Sequence, residues 1–468
     1  MTPADAGPPI ATVNPVNGEV LQCFEPFDAV GVERALASAG ETARRWASSS
    51  FAERSILLNT VAELLEGELP DIAHGVTTEM GKPFAQAKGE VARCASAFRW
   101  FAEQGEALLA DQEVPLGTSV GRVTYRPLGA VLVVTSWSFP LWQATRFVCS
   151  AVTAGNVVLF KGAPNVPRTT LVFGDLFRRA GAPEGLLQAL LIGSDQLPAI
   201  IADCRVTAVA AAGTVEEGRA VAAQAGAAGK KVVLELGGSD PFVVLPSADV
   251  ARAVSVGVEA RTHNAGQSSI AATRFIVHDE VAEEFTRGFV DAMDGLSVGD
   301  PFEPATEVGP LASEGARDTL AAQVEDARAR GATVLCGGRS LDGPGGSERS
   351  GYFYSPTVIT GVTSEMRVAN EELVGPVALL SVVADADEAL AQANASDFGM
   401  GASVWTSEPD EQRRFAEELE SGQVSINGPV VVRPELPFGG TKSSGFGREL
   451  SSFGLYEFCN IKSVWSAS

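Results

Sequence analysis

Ser268 and Ser269 stand side by side in NAGQSSIAATRF, residues 264–275, a stretch that reads as a loop presenting a nucleophile. A serine hydroxyl attacks a carbonyl only with a base beside it, usually His or Lys. A thiol needs less help, because a pKa of about 8.5 leaves usable thiolate near neutrality. His263 precedes Ser269 by six residues, and it serves either as that base or as a packed loop histidine. The six cysteines (Cys23, Cys94, Cys149, Cys204, Cys336 and Cys459) are scattered; none lies in this loop and none has zinc spacing. They are expected to be reduced thiols of a cytoplasmic protein. The three histidines do not cluster, so no metal site is expected.

Other residues carry chemistry in context. Gly213, Thr214 and Gly218, in AAAGTVEEGR, follow an apolar run and lead into a helical one. A turn of this kind can bring a helix N-terminus to a phosphate, but it lacks both the P-loop GK(S/T) and the three-glycine dinucleotide fingerprint. Alone it is equally a plain strand-to-helix turn. Glu235 closes the run KVVLE, at a strand end where an acid can form a salt bridge. Lys161 in LFKGAPN is either a ligand-binding or a surface cation.

The elements that must position these groups follow from periodicity. TVNPVNGEVLQCFEP predicts a β-hairpin turning at Asn17-Gly18. Residues 28–110 carry apolar positions at helical spacing. GAVLVV, NVVLF, LLQALLIG, VTAVAAA and KVVLEL are short buried strands with helices between them, and PFVVL, TRFIVHD, TVLCGG and VALLSVV form a second such series. Alternation of this kind predicts an α/β fold of two mostly parallel sheets.

Motifs in fixed order then point to a family. EMGKP (79–83), WSFPLW (137–142), LFKGAPN (159–165), GTVEEG, LELGGSDPFVV (234–244), NAGQSS, EELVGPV (371–377), SGQVSIN (421–427) and PFGGTKSSGFGRE (437–449) together resemble the aldehyde dehydrogenase superfamily. GSDPF, NAGQS and SSGFGREL bring the chain closest to its succinate-semialdehyde dehydrogenase branch. The resemblance implies a Rossmann-type cofactor domain, an α/β catalytic domain and a small β bridging element. It implies a cysteine thiolate that adds to an aldehyde, hydride transfer to NAD or NADP, and thioester hydrolysis by a glutamate-activated water. On this pattern Glu235 is the general base. Lys161, Gly213, Thr214, Gly218, Trp137 and Glu372 face the cofactor. Arg146 matches the place that takes a substrate carboxylate, joined by Trp142, Phe438 and His263. The expected substrate is therefore a small, possibly acidic aldehyde.

Four departures fall at the reacting centre. Ser269 holds the cysteine's place, and Ser138 that of the asparagine whose amide holds the oxyanion. One such donor is worth roughly 3 kcal/mol. Val374 replaces an aromatic beside the nicotinamide ribose, and Pro164 stands where NAD-preferring relatives carry a glutamate, so NADP is permitted. Three readings follow: oxidation weakened or altered, non-oxidative chemistry with Glu235 as acid or base, or a binding scaffold that has lost catalysis. A cysteine-to-serine exchange made to trap a complex is a fourth, and it would explain Ser269 alone.

With 35 basic and 58 acidic side chains the net charge is −23, which excludes a nucleic-acid-binding reading. No run is apolar for long enough to span a bilayer, and no signal peptide is expected. The expected boundaries are a cofactor domain over 1–236, interrupted near 112–127 by a bridging strand, a catalytic domain over 237–434, a return to the cofactor domain over 435–450, and an oligomerisation strand over 451–468. By resemblance a homodimer or homotetramer follows.

Overall fold

The computed structural model describes residues 10–117, 119–343 and 351–466. Its first part is a six-stranded sheet in the order Gly445–Phe446, Lys231–Glu235, Val206–Ala212, Ala130–Val134, Val157–Lys161, Leu187–Ala189. All its pairings are parallel except that of Gly445–Phe446, which returns from far along the chain to pair antiparallel with Leu234 and Glu235. Val131, Leu132, Val158, Leu159 and Val209 are wholly buried, as parallel strands covered on both faces must be. The N-terminal hairpin pairs Ala11–Asn14 with Glu19–Cys23, turning at Gly18 with φ 70°. Helices Ala29–Trp46, Phe51–Gly67, Leu69–Met80 and Phe84–Leu108 fill the predicted helical region.

The second part is a seven-stranded sheet in the order Thr333–Cys336, Thr357–Thr360, Val377–Val383, Ala272–His278, Asp240–Val244, Gly401–Trp405, Gln423–Ile426. Only its first pair is antiparallel.

Two stretches differ from their sequence reading. The segment near 112–127, read as one strand, is two antiparallel strands, Gln112–Leu116 and Ser119–Pro127, because the chain reverses at Gly117 with φ 67°. The segment 451–468, read as a strand, begins with a helix, Ser451–Glu457. Among its described residues only Cys459–Trp465 is a strand, and it pairs with Ser119–Pro127 of its own chain. The resulting three-stranded sheet leaves Val114, Val120, Ile461 and Trp465 exposed.

Parallel strands deliver their C-terminal ends to one edge, where ligands bind in such sheets. Lys161 and Glu235 are the last residues of their strands, and Gly213 and Ser136–Ser138 follow directly on two others.

Candidate active site

The segment before strand Ala272–His278 carries Ser269, and its backbone is unusual. Asn264, Ala265 and Gly266 have φ of 56°, 54° and 73° in succession. Two non-glycine residues in the left-handed region cost roughly 1–3 kcal/mol each and persist only where surroundings dictate them. Here they do. The Asn264 N–H donates to Gln86 Oε1 (2.7 Å) and its side-chain amide donates to the Ser138 and Gln267 carbonyls (2.8 and 2.9 Å). Gln267 returns a bond to the Asn264 carbonyl (3.0 Å), and buried Arg261 donates to the Gly266 carbonyl (2.6 Å). Gly238 admits the loop, since a Cβ there would lie 1.9 Å from the Ser269 carbonyl oxygen.

The loop sets Ser269 at the meeting of two cavities. One, of about 610 Å³, is lined by Trp137, Lys161, Pro164, Gly213, Thr214, Gly218, Glu372 and Val374, the residues expected to face a cofactor. The other, of about 170 Å³, is lined by Trp142, Arg146, His263 and Phe438, the expected substrate contacts, together with Arg93 and the apolar run Pro429–Val432. Ser138, Gln143, Glu235, Ser268 and Ser269 line both.

Ser269 Oγ donates to Glu235 Oε1 at 2.7 Å. The base beside the hydroxyl is thus a carboxylate. His263 instead stacks against Phe139, ring centroids 5.9 Å apart, and burial, with Lys82 and Arg93 nearby, lowers its pKa to about 4, so it is neutral. Glu235 Oε2 accepts from Arg146 Nη2 at 2.7 Å. Arg146 Nε lies 3.0 Å from Glu449 Oε2, near enough for attraction though not aligned as a hydrogen bond. All three are buried, and the guanidinium also packs over the Phe438 ring at 4.8 Å. Burial works against the charge of Arg146, but Glu235 and Glu449 outweigh it and raise its pKa. Burial pushes Glu449 up to about 8, and Glu372 on the cofactor side up to about 7. Arg146 therefore reaches the smaller cavity already bonded to the Glu235 carboxylate and in contact with the acid group of Glu449. Arg93 lies at the mouth, its guanidinium 5.6 Å from the Trp142 ring centroid, and makes no ion pair among the described residues.

Ser138 belongs to a small ring that sequence reasoning missed. Ser136 Oγ donates to Gln143 Oε1 (2.9 Å), Gln143 Nε2 donates to Ser138 Oγ (3.3 Å), and the two serine oxygens lie 3.2 Å apart. Ser136 has one proton, already given to Gln143, so Ser138 is the donor of the last, long bond. Its proton can turn into the cavity at little cost. Gln143 and Ser136 carry no motif that would have marked them. Glu449 alone lay within a quoted stretch, SSGFGREL.

A family model described as "Aldehyde dehydrogenase family" matches residues 2–464. The chain belongs to the aldehyde dehydrogenase family. It is 48% identical over 464 residues to the succinate-semialdehyde dehydrogenase [NADP(+)] of Mycobacterium avium (strain 104), covering 98% of this chain and 97% of that one. With the succinate-semialdehyde dehydrogenase [NADP(+)] 1 of Mycobacterium tuberculosis (strain ATCC 25618 / H37Rv) identity is 49% over 462 residues, covering 98% and 100%. The succinic semialdehyde dehydrogenase of Streptococcus pyogenes, solved in complex with NADP+, superposes with a TM-score of 0.95 at 32% identity, covering 98% and 100%. That of Burkholderia pseudomallei does so with 0.93 at 33%, covering 99% and 95%. The α/β fold is that of the family. Among the described residues no helix is long and apolar enough to cross a membrane.

Proposed function

We propose that this family member binds NADP or NAD in the larger cavity and a small acidic aldehyde of the succinate-semialdehyde kind in the smaller, and that it oxidises that aldehyde slowly because Ser269 takes the nucleophile's place. The observation that carries this reading is Ser269 Oγ at the junction of the two cavities, 2.7 Å from Glu235. The larger cavity suits a dinucleotide: a buried lysine with no carboxylate bonded to it among the described residues, the start of helix Val215–Ala227, and the Glu372 side chain. Pro164 puts no negative charge where a 2′-phosphate would lie. When bound, the cofactor supplies the hydride acceptor. Glu235 takes the Ser269 proton as the hydroxyl adds to the carbonyl and gives it up to solvent once the ester has formed; the carboxylate then draws a proton from the attacking water and returns it to Ser269 as the acyl group leaves. Ser138, shorter than asparagine, leaves the developing oxyanion without an amide donor. A substrate carboxylate meets Arg146 only in competition with Glu235 and Glu449, so Arg93 at the mouth is the better partner for it.

The slow step is the first, since a carboxylate-assisted alcohol ionises far less readily than a thiol. Reduced-cofactor absorbance with NADP and a panel of aldehydes tests the reading. Slow, enzyme-dependent turnover is expected; rapid conversion with an acyl group mapped to Ser269 overturns it. The same hydrogen bond favours a second reading, ester hydrolysis without redox chemistry, which would appear as ester cleavage that needs no nucleotide and is abolished by Ser269→Ala.

A further inference from the structure

Glu217 is the third residue of helix Val215–Ala227 and lines the cofactor cavity. Its Oε2 accepts from the Thr214 N–H at 3.2 Å and the Thr214 hydroxyl at 3.0 Å, while Thr214 Oγ accepts from the Glu217 N–H at 3.2 Å. A Cβ on Gly213 would come within 3.0 Å of the same carboxylate oxygen. The carboxylate therefore lies across the Gly213–Thr214 turn. Free N–H groups and the positive end of the helix dipole are what make such a turn attractive to phosphate. Here the protein's own anion already occupies part of it. An independent observation lies across the cavity. Among the described residues, buried Lys161 donates only to the Gly162 carbonyl, at a long 3.4 Å, and Glu217 is the carboxylate whose charge acts on it.

We propose, resting on the dinucleotide-binding reading above, that Glu217 limits cofactor affinity by competing with the cofactor's phosphates for the Gly213–Thr214 turn and for Lys161. The exposed side chain must swing out as the phosphates arrive, and Lys161 then exchanges one anion for another.

Glu217→Gln isolates the charge, because an amide oxygen can still accept from the residue before the helix and keep the reciprocal cap. Removing one like charge a few ångströms from a diphosphate should tighten binding about tenfold at low salt, and by less at high salt, where such repulsion is screened. Glu216→Gln makes the same charge change one residue away, at a side chain that does not line the cavity, and should move affinity less than about twofold. The experiment is calorimetric titration of NADP and of NAD into the full-length protein and both variants, at low and high salt, with thermal midpoints to show that all are folded. Tighter binding by Glu217→Gln alone, with an advantage that narrows at high salt, supports the proposal. If the variant loses its fold, Glu217→Ala at lower temperature serves and should also tighten. Equal or weaker binding by Glu217→Gln, or equal tightening by Glu216→Gln, overturns the proposal while the dinucleotide reading stands. No binding by any of the proteins overturns both.

Discussion

Restoring fast aldehyde oxidation should take two substitutions, Ser269→Cys and Ser138→Asn, and neither alone should suffice. At pH 7.5 a cysteine at 269 with a pKa of about 8.5 is roughly one-tenth thiolate, and Glu235 Oε1, 2.7 Å from the present hydroxyl, can accept the remaining protons. That repairs the nucleophile. It leaves the oxyanion with Ser138, whose side chain is two heavy atoms shorter than asparagine and whose proton rests on Ser136 Oγ at 3.2 Å. A missing donor costs roughly 3 kcal/mol in the transition state, about a hundredfold in rate. The double variant should therefore exceed Ser269→Cys by about a hundredfold in kcat, while Ser138→Asn alone stays close to the parent. Steady-state reduction of NADP with succinate semialdehyde reads all four proteins. If Ser269→Cys alone matches the double variant, Ser138 already holds the oxyanion and the reasoning fails.

The buried charges give further predictions. Glu449 has a folded pKa raised from the ordinary 4.5 to about 8, so it stays protonated in the folded state where the unfolded chain has lost its proton. The stability this brings is full below about pH 4.5 and is lost as pH rises towards 8. Glu449→Gln, which cannot ionise, should flatten the fall in thermal midpoint across that window; an unchanged slope would refute it. Arg146→Met strips the counter-charge from buried Glu235 and should cost about 3–5 kcal/mol in urea unfolding, against which a loss under about 1 kcal/mol would count. Gly218→Ala puts a Cβ 2.3 Å from Leu236 Cδ2, so calorimetry should show a stability loss of about 1–3 kcal/mol. Deleting residues 459–468 strips one of the two partners from Ser119–Pro127 and removes exposed Ile461 and Trp465. Light scattering should then show a smaller assembly than the intact chain, and an unchanged mass would separate this strand from oligomerisation.

How far the sequence could be read depended on how local each signal was. Runs such as AVLVV and VALLSVV announce buried strands because both faces are covered and almost every residue must be apolar. GASVW and QVSI escaped notice because they are short and carry small or polar residues, and only their neighbours in the sheet make them strands. Lys161, Glu235 and Ser269 were legible because each sits in a motif at the end or start of an element. The network that determines what they can do was not. Arg146 meets Glu235 and Glu449, brought from 89 and 303 positions away by strand Lys231–Glu235 and by the chain's late return beside it. A reading along the chain sees an arginine in the place of a carboxylate receptor; the fold sets that arginine against Glu235 and Glu449. The base presents the same lesson reversed. Six residues separate His263 from Ser269, yet consecutive left-handed residues turn the histidine onto Phe139, while Glu235, 34 residues away, accepts the serine's proton. Distance along the chain is a poor guide where the backbone reverses, and the departures at 138 and 269 acquire meaning only beside Gln143 and Glu235. Ser269 is thus an alcohol with a proton acceptor in place, and its deficit against a thiol lies in the energy of forming the anion, not in the absence of a base.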